Sequence, residues 1–204
     1  LSNGQNLEIL PIALDKHTWD DLLAGAGTDN YRWDPDAKCV RNGRDGVLEV
    51  NLYPQGTGAP GNRGTVDVGA SNNSTADISR QIRHGVSEAD MAHLGGKLEF
   101  DQSGKLYLNG DTGISAGVKD DLASIIGKTR IIPIFSEVNG PGNNAQYTIV
   151  QFVGTRIMYV KLTGSPCGKQ VLIQPANVLS RGAIPATDTS PVSQFIYSPV
   201  WLVR

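Results

Sequence analysis

The stretch GASNNST, residues 69–75, joins a short apolar run to an amphipathic one. A glycine that ends a strand, followed by amides and hydroxyls at a helix start, can present backbone N–H groups to a phosphate or carboxylate. Asn72, Asn73, Ser74 and Thr75 are therefore the candidate anion-contacting residues. The same residue types also make an ordinary turn and helix cap. Neither the phosphate-loop pattern GxxxxGK followed by Ser or Thr nor the dinucleotide pattern GxGxxG is present, and the loop has no lysine. The turn-and-cap reading therefore takes precedence.

The other candidates for chemistry are sparser. His84, Asp90 and His93 lie close in sequence and are metal-ligating types, but Gly85 interrupts them and the HExxH spacing is absent. A helix C-terminus accounts better for His84. Asp101 and Gly104 in DQSG match only a fragment of a calcium loop, and a hairpin turn explains them. There is no GxSxG elbow for a nucleophilic serine. The carboxylate pairs Asp20/Asp21, Asp120/Asp121 and Glu88/Asp90 fall on first helical turns or polar faces. No cofactor and no metal are expected, and the polar residues read as caps, turns and strand faces rather than as a catalytic set.

The elements that position these residues follow from periodicity and punctuation. LEILPIAL, residues 7–14, reads as a short strand broken at Pro11. DKHTWDDLLAGAG reads as a two-turn helix that Gly25 stops. Residues 28–46, TDNYRWDPDAKCVRNGRDG, are polar and turn-rich and are expected to be a loop. In GVLEVNLYP, Leu48, Val50 and Leu52 form the dry face of a period-2 strand, with Val47, Glu49 and Asn51 opposite. Residues 54–64 read as a Gly-rich surface loop, and 65–68 as a strand. A helix capped by Ser74 or Thr75 runs to Gly85, with Ile78 and Ile82 on one face. Ser87 caps a further turn with Asp90. KLEFDQSGKLYLNG reads as a hairpin, and Ser115 to Gly127 as a third capped helix. From residue 130 the chain is nearly all strand, with a bulge or bend expected at Gly154. Residues 179–194 are expected to be a mobile loop, and FIYSPVWLVR a last core strand. The fold class is α+β: one domain over 1–204, with three short helices in the N-terminal half and a mainly antiparallel β C-terminal half.

Composition sets outer limits. The 204 residues carry a formal charge of −2 with no basic block, so nucleic acid is not an expected partner. The 24 Gly and 11 Pro predict many turns and short helices. No apolar run is long enough to span a bilayer. A chain beginning at Leu1 is expected to be a processed product or a fragment, with any signal or anchor upstream. Cys39 and Cys167 fit either one disulfide outside the cytoplasm or two unrelated thiols.

Several long strings carry a family resemblance. EVNLYPQGTGAPGNRGTVDVGASNNSTADISRQIRHGVSEADM, GGKLEFDQSGKLYLNGDTGISAGVKDDLASIIGKTRIIPIFSEV, GPGNNAQYTIVQFVGTRIMYVKLTG and VLIQPANV resemble the C-terminal part of TadG-like proteins of planctomycete-type bacteria, labelled Flp pilus-assembly proteins. The similarity runs from about residue 11 to 204. It implies a membrane anchor upstream of Leu1 and a bulk outside the cytoplasm, periplasmic or at the cell surface. It further implies a minor pilus or surface component with protein partners. The family has no established catalytic residues to carry over. The resemblance also implies that GSPCGKQ is a variable hairpin, and a Cys39–Cys167 disulfide would suit the outside location. The expected role is a non-enzymatic, self-associating structural or assembly component. The alternative is a secreted or surface binding module for a small ligand, sugar or ion through the Gly/Asn-rich loops at 54–64 and 69–75.

Overall fold

The computed structural model describes residues 6–53, 64–69, 74–111, 114–140, 144–164, 168–180 and 193–198. Its spine is a pair of long strands, β7 (Thr129–Asn139) and β8 (Ala145–Lys161), paired antiparallel along the whole of β7 and from Gln146 to Arg156 of β8. From Arg130 to Phe135 every residue of β7 is buried. A strand covered on both faces has no wet side, which is why RIIPIF reads as a continuous apolar run without alternation.

The other edge of β8 is shared by two shorter partners. Its first residues pair with β6 (Leu106–Asp111), and its last with β9 (Gln170–Pro175). Beyond β6 lies β5 (Thr65–Val66), and beyond β9 lies β4 (Val50–Tyr53). The N-terminal segment closes the first arm into a ring. Ile9 bridges Ile131, and β1 (Leu14–Asp15) runs parallel to β7 at Ile134 and Phe135. On its other side Ile12 bridges Thr65 of β5, and the Val66 N–H donates to the Pro11 carbonyl at 3.0 Å. This closure leaves β5 without a bare ladder on that side.

Two apolar clusters lie on the two faces. One is roofed by helices α1 (Lys16–Leu23), α2 (Thr75–His84) and α4 (Lys119–Ala123), which lay Trp19, Leu22, Ile78, Ile82 and Leu122 on Ile132, Ile134, Val153, Ile157 and Ile173. The other gathers Val66, Val68, Leu108, Phe135, Tyr147, Ile149 and Met91 of α3 (Glu88–His93). The fold is α+β and strand-rich, with four helices among the described residues, α4 being led in by a 3-10 turn at Ala116–Val118.

Four expectations are corrected. Residues 28–46 are not a loop: β2 (Tyr31–Asp34) and β3 (Cys39–Asn42) form an antiparallel hairpin. Leu98 and Phe100 are not a strand, so the stretch 97–110 contributes only β6 and the turn before it, where Gly104 N–H donates to the Asp101 carbonyl. Phe100 packs on Phe152 instead. Gly154 is not a bulge, since it pairs in register with Ile131; the irregularities of β8 lie on either side, near Val150 and Met158. Glu49 is not on a wet face but is buried. Of residues 179–194, Leu179 belongs to β10 (Val178–Leu179), which pairs with β11 (Ile196–Tyr197). The stretch 181–192, residues 54–63 of the expected Gly-rich loop and the end of the chain from 199 lie outside the described residues.

Candidate functional site

Asn72 and Asn73 lie outside the described residues; Ser74 and Thr75 lie within them. Ser74 is the N-cap of α2, its hydroxyl accepting from the Asp77 N–H at 3.1 Å and donating to the Asp77 carboxylate at 2.7 Å. Thr75 opens the helix. The chain thus places its own carboxylate at the positive end of the helix dipole.

That end belongs to a network of charged side chains. Arg80 forms a two-pronged contact with Asp90, at 2.9 and 2.6 Å, and approaches Asp77 at 3.8 Å. Asp90 also accepts from the Ser87 N–H and hydroxyl, completing the capping box of α3. A single buried carboxylate therefore joins α2 to α3. On the other flank Arg83 pairs with Asp121, which also accepts from Ser79, tying α2 to α4. His84 and His93 sit at the C-terminal ends of α2 and α3. Asp90 is committed to Arg80 and Ser87, and among the described residues no group of three His, Cys, Asp or Glu stands together as a metal site.

Burial alone would push the Asp90 carboxyl up, but the bonds from Arg80 and Ser87 outweigh it and hold it below the ordinary carboxylate range. A carboxyl lowered by folding contributes stability that is fully present above its unfolded value, near pH 4. That stability is lost as the pH falls through the lower folded value. An Asp90→Asn variant is expected to lose about 2 kcal/mol at neutral pH. Its urea midpoint should fall less steeply than the parent's below pH 4. Parallel acid limbs would show that Asp90 is not a source of the pH dependence.

Three further polar groups were not singled out by the sequence. Glu49, at 1% exposure, accepts from the Thr28 hydroxyl and from the N–H groups of Asn30 and Tyr31, at 3.0, 2.9 and 2.8 Å. It fixes the base of the β2–β3 hairpin. Tyr31 then stacks on Tyr159 of β8, and Arg156 lies over the Trp33 ring while donating to the Gly127 carbonyl. Arg130 is buried and donates to the Ile82 carbonyl, where a cation suits the end of α2. Burial lowers its pKa, against the charge of Glu8. The Tyr147 hydroxyl is buried with no hydrogen-bond partner among the described residues. Burial first, and the Asp111 charge second, push it up to about 12, so it stays neutral at ordinary pH. Cys39 is half-buried on β3 and forms no disulfide among the described residues; Cys167 lies outside them.

Two surface features remain. A shallow open groove of about 460 Å³ is lined by Leu22, Leu23, Val47, Leu48, Pro175 and Phe195, among others. The β10–β11 ribbon turns Leu179 and Tyr197 outward as register partners, at 62% and 54% exposure, while Val178 is buried beneath. Compared with protein-family models, with curated proteins and with solved structures, the chain matches none. No helix among the described residues is long and apolar enough to cross a membrane.

Proposed function

We propose that this chain is a non-enzymatic structural or assembly component of a cell-surface or pilus-type system, held outside the cytoplasm and associating with copies of itself or with partner proteins. The resemblance to the TadG-like family supports the setting. The observation that carries the associating role is the β10–β11 ribbon, a two-strand surface whose outward positions are a leucine and a tyrosine side by side. Large apolar groups paired on a strand surface gain by being covered, and strands offer backbone groups to a neighbouring chain. The charged groups fit the same reading, because Glu49, Asp90, Asp121 and Arg130 are engaged in holding elements together.

Size-exclusion chromatography with light scattering tests it. The 21.8 kDa chain should elute at a multiple of its mass. Replacing Leu179 and Tyr197 together by Ser should return it to a monomer with unchanged circular dichroism. A parent that stays monomeric at high concentration would overturn self-association. The reading would then pass to a small-ligand binding module. The groove between Leu23, Leu48 and Phe195 favours that alternative, at a place other than the loops at 54–64 and 69–75.

A further inference from the structure

The chain contains four Asn-Gly pairs, at Asn3, Asn42, Asn109 and Asn139. This dipeptide is chemically special. With no side chain on the glycine, its amide nitrogen reaches the preceding asparagine carboxamide with least hindrance. The nitrogen attacks the carboxamide carbon and loses its proton to solvent, a C–N bond forms, and ammonia leaves, giving a succinimide. Water then opens the ring at either carbonyl, leaving aspartate or isoaspartate. The net change is water in and ammonia out, with no redox step.

The fold treats the described pairs differently. Asn42 is the exposed last residue of β3, paired with Tyr31, but the Gly43 N–H, the attacking nitrogen, is held by the Asn30 carbonyl at 2.9 Å. Asn109 and Gly110 lie inside a three-strand ladder: Gly110 pairs with Ala145 on one side and Val66 on the other, and the Asp67 N–H donates to the Asn109 carbonyl. Gly110 is further pinned against the Tyr147 ring. Asn139 is the last residue of β7, paired with Gln146, and is exposed, as is Gly140, which lies past the strand end with φ at 92°. Asn3-Gly4 lies outside the described residues.

We propose that Asn139-Gly140 is a self-modifying site, converting to aspartate and isoaspartate in the folded chain while Asn42-Gly43 and Asn109-Gly110 are protected. Conversion places a new carboxylate two residues from Glu137, on the same exposed side of β7. The isoaspartate product also adds a methylene to the backbone at the end of β7.

The folded chain is incubated at mildly alkaline pH, digested, and its peptides followed by mass spectrometry with isoaspartate detection. Asn139 should convert roughly tenfold faster or more than Asn42 and Asn109, the factor set by a local opening free energy of about 1.4 kcal/mol for the Gly43 N–H bond and for the two-sided ladder at Gly110. In denaturant the three rates should converge. Conversion at Asn42 or Asn109 as fast as at Asn139 in the folded chain would overturn the proposal. So would a threefold set of rates that keeps the same order and spread when the chain is unfolded.

Discussion

Glu49→Ala is expected to free the β2–β3 hairpin from the sheet and to lower stability by about 3–5 kcal/mol. The carboxylate is buried and takes three bonds, two of them from backbone N–H groups of Asn30 and Tyr31. Its own backbone exchanges two more bonds with Thr28, at 3.0 and 2.6 Å, so side chain and main chain hold the same neighbour. Without the side chain, the Asn30 and Tyr31 donors face a cavity, and each unsatisfied buried donor costs about 1–3 kcal/mol. Opening to water relieves that cost but breaks the Tyr31–Tyr159 stack and the Arg156–Trp33 contact. Urea unfolding gives the magnitude, and hydrogen exchange gives the place. Protection should be lost at Asn30 and Tyr31 and retained in β7 and the facing half of β8. A loss under about 1 kcal/mol with both amides still protected would show that the hairpin is held by its aromatic contacts alone.

The caps were legible and the contacts across the fold were not, for a physical reason. A Ser or Asp before an amphipathic run acts on N–H groups two or three residues away, so Asp15, Ser74 and Ser87 declare their helices locally. Glu49 does the opposite work, taking donors from about twenty residues upstream, and nothing in VLEVNLY distinguishes it from a solvated glutamate. Alternation places Leu52 correctly inside, yet it cannot say that a hairpin will fold over the other face. A signal for that hairpin does exist. Tyr31 and Trp33 alternate with Arg32 and Asp34, and the turn residues Pro35 and Asp36 follow. The stretch 97–110 erred in the reverse direction. Alternation identified β6 as a strand, but the choice of Ala145–Ile149 as its partner lies in tertiary packing. Of the candidate site residues, Ser74 was legible as a cap because its partner Asp77 is three residues away. The Leu179–Tyr197 pairing joins the two sides of a long connection and has no local sign.

Gly154→Ala is expected to lower stability by about 3 kcal/mol. An added Cβ would stand 2.3 Å from the Phe195 carbonyl oxygen and 2.6 Å from that of Ala176. Both are backbone atoms, so no rotamer change relieves the contact. Nor is the glycine needed for an unusual φ, because Gly154 continues β8 in register with Ile131. Its role is to let two chain segments cross a third at close range. The Gly154 N–H donates to the Gln194 carbonyl, and its own carbonyl accepts from Ala176, so a shift of the strand breaks one bond or the other. The weaker side should yield. Residues 193–198 are tied down by β10, by the Trp19 indole donating to Gln194 at 2.8 Å, and by the Trp19–Phe195 edge contact. The β7–β8 pairing is far longer. The variant should therefore lose the amide protection of Val178 and Ser180, which donate to Phe195 and Tyr197, and shift the Trp19 indole resonance, while β7 stays protected. Because that release also undoes the β10–β11 ribbon, Gly154→Ala should weaken self-association more than its loss of stability alone implies. A variant with unchanged stability and a protected Val178 amide would mean that the crossing has room for a methyl group. The ribbon would then not depend on Gly154.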